Sequence, residues 1–457
     1  MAFPFKIVEH TVPAQHVREW PRATANSQED VLYIHVKQYI PLDNPDPQPG
    51  DVTIIGAHAN GFPKELYEAL WAELHARTTS SPAFRIRSIW IADVTNQGRS
   101  GALNEALLGD DPCWHDHARD LLHLTNVFRD AMPRPLVGVG HSFGGNILTH
   151  LSLLHPRLLT TLVLLDPVIT HFTFRRMGAG IGPTRSSTFR RETWPSRDAA
   201  EASFRRSPFY SSWDPRVLDA WCAHAIRDTP TALFPGDQGE GEGESTSGNE
   251  SHQEKQKQKQ VTLTTTKHQE VFTFFRPLWP YHKADGTIDR DGAPDFDPSL
   301  NDKVDRSSPL SFPFYRSEGS SVLQNLPHVR PSVLWVFGGD SDLSQPEGRR
   351  EKLALCGSGG GGSGGVAAGR VAEVVVEGRG HLFPMEVPAL CAEHAAAWIA
   401  KEMQRWRDAE RAYEEWTRKP FREKTTLSQR FMDSVGRPPV RGGGGGKKNG
   451  EAPESKL

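Results

Sequence analysis

Short apolar runs alternate with segments of helical spacing along most of this chain. Residues 5–8 and 31–36 carry β-branched and aromatic residues in alternation and predict strands; 52–57 is a continuous apolar run and predicts a buried one. Over 64–76, Leu66, Leu70 and Leu74 fall at i, i+4 and i+8, which predicts a helix. A strand is expected over 84–92 and a helix over 116–131, with Leu121, Leu122, Thr125 and Phe128 on one side. The run 136–139 reads as a strand and 145–151 as a helix ending near Pro156; 161–165 is a strand stopped by Asp166-Pro167. Two further strands are expected over 333–337 and 371–376, and a closing helix over 387–406 with Leu390, Trp398 and Ile399 inward. Strands alternating with helices imply a mostly parallel sheet covered on both faces.

The rhythm breaks between Leu165 and Val333, more than 150 residues that no βα loop needs. A helical lid inserted after the sixth strand accounts for them. The expected division is a core over 1–169, a lid over 170–328, the rest of the core over 329–420 and a flexible tail over 436–457. The lid is rich in aromatics, among them Phe172, Phe174, Trp194, Phe204, Tyr210, Trp213 and Trp221. Some can line an apolar acyl pocket, but most are expected to be the lid's own core. Residues 236–260 are Gly/Glu- then Lys/Gln-rich and are expected to be disordered; 357–369 is a second low-complexity insertion, rich in Gly, Ser and Ala.

Candidate chemistry sits at the strand ends. Gly140-His141-Ser142-Phe143-Gly144 places a serine between a strand and a helix with glycines on either side. That context is the nucleophile elbow of the α/β-hydrolase fold, in which a strained turn holds the hydroxyl clear of the sheet. Ser142 needs a base, and Gly380-His381-Leu382 follows the last strand and precedes the last helix, where this fold carries it. Two acids follow Ser142 and precede His381 at the carboxyl edge of the sheet: Asp166 after the sixth strand and Asp342 after the seventh, the usual place, with Asp340 a weaker third. The oxyanion hole is expected from the main-chain N–H groups of Phe143 and Asn60, a side-chain role for Asn60 being an alternative. His58 reads as a hydrogen-bonded loop anchor.

Composition narrows the remaining choices. A net charge of −3 gives no reason to expect nucleic acid or an anionic membrane as a partner, and no apolar run is long enough for a membrane span. Cys113, Cys222, Cys356 and Cys391 are scattered, which speaks against a zinc cluster or disulfide scaffold and suits a reducing compartment. His115, His117 and His123 are close in sequence but lack the acids or cysteines of a recognisable metal site. No G-x-G-x-x-G follows a strand. Neither metal nor cofactor is expected. The N-terminus lacks a signal-peptide core, whereas the chain ends Ser455-Lys456-Leu457, the peroxisomal address, behind a glycine run at 442–446. The peroxisomal import receptor is therefore an expected partner, and the peroxisomal matrix the expected location.

Several segments resemble one fungal α/β-hydrolase family, which includes hydrolases of host-selective toxin biosynthesis and a peroxisomal lipase-like enzyme. They are residues 57–67 (Ala-His-Ala-Asn-Gly-Phe-Pro-Lys-Glu-Leu-Tyr), 92–101, 117–122, Trp213-Asp214-Pro215-Arg216 and Gly380-His381-Leu382. The resemblance covers most of 1–420 outside the two low-complexity insertions. It implies a peroxisomal location and the Asp-Pro at Asp166-Pro167 as the recurring acid, the position matching Asp342 often not being acidic there.

The expected activity is that of a serine hydrolase acting on an apolar acyl ester or thioester through an acyl-enzyme, in lipid or secondary (toxin) metabolism. Serine at position 142 excludes epoxide-hydrolase and dehalogenase chemistry, which needs a carboxylate there. An acyltransferase of the same fold and a catalytically silent binding protein are the alternatives.

Overall fold

Apolar runs set the centre of the molecule. The computed structural model describes residues 3–80, 83–171, 181–235, 259–285, 287–296 and 314–438. Its strands are β1 (Phe5–Pro13), β2 (Tyr33–Pro41), β3 (Val52–Ala57), β4 (Ile86–Ala92), β5 (Leu136–His141) and β6 (Thr161–Leu165). Short strands follow: β7 (Thr193–Trp194), β8 (Ile226–Asp228), β9 (Val261–Leu263), β10 (Arg276–Pro277) and β11 (Phe314–Tyr315). The main sheet then resumes with β12 (Ser332–Gly338) and β13 (Val371–Val376). Its order is β1-β2-β4-β3-β5-β6-β12-β13. Pairing is antiparallel from β1 to β4 and parallel from there on. Every residue of β3, β5, β6 and β12 is buried, as expected of parallel strands covered on both faces.

Helices α2 (Gly98–Asn104), α10 (Pro346–Leu355) and α11 (Phe383–Glu386) follow β4, β12 and β13, and other helices cover the two faces. On one, α1 (Glu68–Ser80) and α12 (Pro388–Thr417) bring Leu70, Trp71, Trp398 and Ile399 against Ile54, Ile89, Val137 and Val163. On the other, α3 (Trp114–Val127), α4 (Phe143–Leu154) and α9 (Glu318–Asn325) bring Leu121, Leu148 and Leu323 against Ile55, Trp90, Leu162 and Trp335. Neighbouring strand residues such as Ile54 and Ile55 thus enter different cores, the period-two consequence of the pleat. The carboxyl ends of β3, β5, β6, β12 and β13 share one edge.

Segment 166–331 holds α5 (Ile181–Phe189), α6 (Arg197–Arg205), α7 (Pro215–His224) and α8 (Lys267–Phe274), as well as α9. It also holds the β7-β9-β8 sheet and the β10-β11 pair, small strands that helical spacing alone did not announce. Trp194, Phe204, Trp213 and Trp221 are buried and pack on one another. Phe172, Phe174 and nearly all of 236–260 lie outside the described residues, as does the C-terminal tripeptide.

Four segments differ from the sequence pattern. β1 and β2 run further than expected because they pair along their whole length, from Phe5 opposite Pro41 to Pro13 opposite Tyr33. The last helix continues past 406 to Thr417, since no Gly or Pro interrupts it before Pro420. Residues 357–369 form a hydrogen-bonded loop. The amides of Gly357, Gly359 and Ser363 donate to the carbonyls of Leu326, Pro327 and Val329, and Gly357, Gly361, Gly364, Gly365 and Gly369 adopt the positive φ that the loop requires. By compactness the chain divides once, into 1–406 and 407–457, and segment 166–331 belongs to the first unit. The described part of the second holds the end of α12, α13 (Phe421–Thr425) and α14 (Gln429–Val435).

Candidate active site

The elbow is a steric construction. β5 ends at His141, α4 begins at Phe143, and Ser142 alone makes the turn, at φ 56° and ψ −119°. A non-glycine residue holds such a conformation only where its surroundings enforce it. A Cβ on Gly144 would lie 2.2 Å from the Ala57 carbonyl oxygen and 2.7 Å from that of His58, so the turn packs directly on the end of β3. The Ser142 N–H donates to the Leu165 carbonyl (2.9 Å), and the Ser142 carbonyl accepts from the Val168 N–H (3.0 Å). Elbow and Asp166 loop are thereby joined through the main chain.

His381 reaches the elbow from the loop after β13. Its Nε2 lies 2.7 Å from Ser142 Oγ and its Nδ1 2.6 Å from Asp166 Oδ2. Asp166 is fully buried, at φ 43°, and its carboxylate also accepts from Ser341 Oγ (2.5 Å), Ser344 Oγ and the Gly338 N–H (3.3 Å). An acceptor so surrounded by donors leaves Nδ1 to carry the imidazole proton, so Nε2 presents its lone pair to the serine hydroxyl. Burial alone would raise the Asp166 carboxyl. The hydrogen bond and charge of His381, with Ser341 and Ser344, bring it down instead to about 2.

The two candidate acids are separated by orientation. Asp342 and Asp340 are exposed, whereas Ser341 and Ser344 of the same loop are buried and turned onto Asp166. The structure therefore brings Asp166 to His381 and leaves Asp342 at the surface. The loop after β12 contributes hydroxyl donors, a role the sequence reading missed; two serines flanking the candidate acid were its only trace.

Between β3 and α1 the amides account for themselves. The Ala59 N–H donates to the Tyr67 hydroxyl (2.9 Å) and the Gly61 N–H to Gln97 Oε1 (2.8 Å). The Asn60 side chain is also engaged: its Oδ1 accepts from Gln97 Nε2 (2.7 Å) and its Nδ2 donates to the Glu270 carbonyl of α8 (3.1 Å). That leaves the Asn60 main-chain N–H, which with that of Phe143 has no acceptor among the described residues. His58 is buried, with Nε2 accepting from the Val94 N–H (3.0 Å) and Nδ1 donating to the Ala59 carbonyl (2.8 Å); burial pushes its pKa down to about 4.

Phe62, at the end of this loop, meets the lid rings of Trp213 and Trp221 at centroid distances of 5.7 and 5.9 Å. Trp194, Phe204, Trp213 and Trp221 thus join the same buried cluster as Leu66, Tyr67 and Trp71 on one face of the sheet, not a separate core of their own. A cavity of about 540 Å³ is lined by Asn96, Gln269 and Phe272 among others, and none of Ser142, His381 and Asp166 lines it. Among the described residues no three His, Cys, Asp or Glu side chains group to hold a metal ion, the four cysteines are free and buried, and no helix is long and apolar enough to cross a membrane.

Comparison with known proteins gives a consistent picture. The sequence profile described as "Alpha/beta hydrolase family" matches residues 54–394. The chain is 44% identical over 418 residues to the type I acyl-CoA thioesterase mpaH' of Penicillium brevicompactum, covering 90% of this chain and 91% of that one. It is 41% identical over 420 residues to the type I acyl-CoA thioesterase mpaH of Penicillium roqueforti, with the same coverage. The abhydrolase domain-containing protein AFT2-1 of Alternaria alternata is 29% identical over 279 residues, 59% of this chain and 85% of that one. Among solved structures, the peroxisomal alpha-beta-hydrolase Lpx1 of Saccharomyces cerevisiae superposes with a TM-score of 0.61 at 17% identity, over 93% of this chain and 99% of that one; this likeness is one of fold.

Proposed function

The chain belongs to the alpha/beta hydrolase family, and from that premise we propose that it is a thioesterase releasing an acid from an acyl-CoA inside the peroxisome. The observation that carries the reaction type is the unbroken line from Ser142 Oγ through His381 to Asp166, at 2.7 and 2.6 Å. Thioester over oxygen ester is favoured by the names of the relatives that match nearly the whole chain.

In this reading Ser142 Oγ attacks the thioester carbonyl carbon while its proton passes to His381 Nε2. Asp166 holds the Nδ1–H tautomer and stabilises the imidazolium. The tetrahedral oxyanion is met by the main-chain N–H groups of Asn60 and Phe143, each donor contributing roughly 3–4 kcal/mol in the transition state. Collapse expels the thiolate, which takes the proton from His381 and leaves an acyl ester on Ser142. His381 then deprotonates water, which attacks that ester and frees the acid and the serine. Ser455-Lys456-Leu457 supplies the address for the import receptor.

The test measures free thiol released from a chain-length panel of acyl-CoAs beside matching oxygen esters. Turnover of at least one acyl-CoA, abolished in Ser142→Ala, is expected. Turnover of esters alone would refute the thioester assignment, and no turnover with Ser142 unreactive toward a fluorophosphonate would refute the hydrolase mechanism. An N-terminal fluorescent fusion should be peroxisomal, and cytosolic once residues 455–457 are removed.

A further inference from the structure

Behind the elbow, one chain of hydrogen bonds links the loops on which the catalytic atoms sit. His141, the residue before Ser142, is fully buried, and Tyr67 is 3% exposed. His141 Nε2 lies 3.0 Å from the His381 main-chain carbonyl, and its Nδ1 lies 2.9 Å from the Tyr67 hydroxyl. The Tyr67 oxygen in turn receives the Ala59 N–H at 2.9 Å.

The donor sense of each bond follows from the acceptor inventory. A carbonyl only accepts, so Nε2 of His141 carries a proton. The ring is neutral, because burial, with the adjoining His381, pushes its pKa down to about 3. Its Nδ1 is therefore a lone pair, and the Tyr67 O–H donates to it. With its proton committed, the Tyr67 oxygen still has lone pairs free for the Ala59 amide. The order runs from the Ala59 N–H to Tyr67 to His141, and from His141 to the His381 carbonyl, without an ambiguous step.

We propose that Tyr67 and His141 are positioning residues that hold the oxyanion loop and the His381 loop in register with Ser142. The proposal rests on the serine-hydrolase reading above. Neither residue touches the reacting atoms. Tyr67 sets Ala59, whose neighbour Asn60 carries the free N–H. His141 sets the main chain of His381, the pivot about which that imidazole turns. The preceding Gly378-Arg379-Gly380 is tied by the Asp340 N–H to the Arg379 carbonyl (2.9 Å), but Gly378 turns at φ 67° and the His381 side chain is 31% exposed, so a bond at the His381 carbonyl itself adds a fixed point next to the imidazole. A rigid ring with one donor and one acceptor on opposite sides explains histidine at the second position of the pentapeptide, which the motif itself leaves open.

The experiment compares Tyr67→Phe, His141→Gln and the double variant with the wild-type chain. In each, Ser142 is titrated with a fluorophosphonate, so that kcat is expressed per competent site and partial unfolding is removed from the rate. KM and affinity for an alkyl boronic acid, a tetrahedral mimic of the oxyanion, are measured alongside. Tyr67→Phe should lower kcat by about 10- to 100-fold, as misplacement of reacting groups by up to about 1 Å does. KM should stay within about twofold while boronate affinity falls by the same factor as kcat/KM. The double variant should be no more than about threefold worse than the poorer single one, because both cut one chain of bonds. If Tyr67→Phe fails to fold, His141→Gln alone carries the test, by its kcat and boronate affinity. Wild-type kcat per titrated site in a folded single variant would overturn the proposal, as would losses that multiply in the double variant or fall on KM alone. A wild-type chain with no turnover and an unreactive Ser142 would instead overturn the hydrolase reading, and the positioning role with it.

Discussion

Replacing Asp166 by Asn tests the acid of the proposed triad most directly. The carboxylate takes donors from His381, Ser341, Ser344 and the Gly338 amide on its two oxygens. An amide offers one oxygen and an NH2 group that cannot accept. If the NH2 group faces His381, the imidazole proton must move to Nε2, where it points at Ser142 and cannot receive the serine proton. A wrong tautomer of this kind lowers kcat by about 10⁴-fold, or ~5 kcal/mol of barrier at ~1.36 kcal/mol per decade. The assay is thiol release from an acyl-CoA at neutral pH, normalised to folded protein, with Asp342→Asn beside it. Asp342 is exposed, so its variant should keep the wild-type rate within about twofold. Asp166→Asn within about tenfold of wild type, or Asp342→Asn falling as far, would refute the reasoning. The same carboxylate has a folded-state pKa of about 2, below its ordinary 3.8. Its stabilisation, on the order of 2 kcal/mol, is therefore complete above about pH 4 and is lost as pH falls through 2, so neutral-pH kinetics see it ionised throughout.

Two stability predictions follow from buried charge. Lys64 and Asp93 are both fully buried, 2.7 Å apart, with Asp93 also accepting from the Lys64 and Arg99 amides. Asp93→Ala leaves the buried ammonium with Glu65 alone, at 3.0 Å, and should cost about 3 kcal/mol in urea unfolding, with Asp93→Ala/Lys64→Met recovering part of it; a loss below ~1 kcal/mol would count against the pair's burial. His58, His141 and His150 have pKa values pushed down by burial, to about 4, 3 and 3, so the unfolded chain binds protons first as pH falls below 6.5. Asp116, raised by burial to about 6, acts in the opposite sense. His35, His115 and His224 are lowered by burial too, so an uptake of at least two protons predicts a stability loss of about 3 kcal/mol or more per pH unit near pH 5, and an unfolding midpoint unchanged between about pH 7 and 5 would contradict it.

The sequence by itself determined the parts of this protein that depend on neighbours along the chain. Continuous apolar runs announced the buried parallel strands. The elbow was legible because its steric demands fall within five residues, Gly140 to Gly144, between a strand and a helix. His381 was legible as the histidine that follows a Gly-x-Gly after the last strand. The extra length of β1 and β2 and the small strands within 166–331 were not, since pairing partners decide where they stop, whereas the overrun of α12 follows from the lack of a Gly or Pro before Pro420.

Only the tertiary structure decided which loop residues face inward. Asp166 and Asp342 are equivalent by chain order, but burial of Ser341 and Ser344 turns the intervening Asp342 outward and surrounds Asp166 with donors. Tyr67, Gln97 and His141 fall in segments that the sequence singles out, but nothing local assigns them a role. Their roles arise where segments distant in sequence close on one another at the sheet edge. There a buried polar atom must find its partner wherever the fold places one.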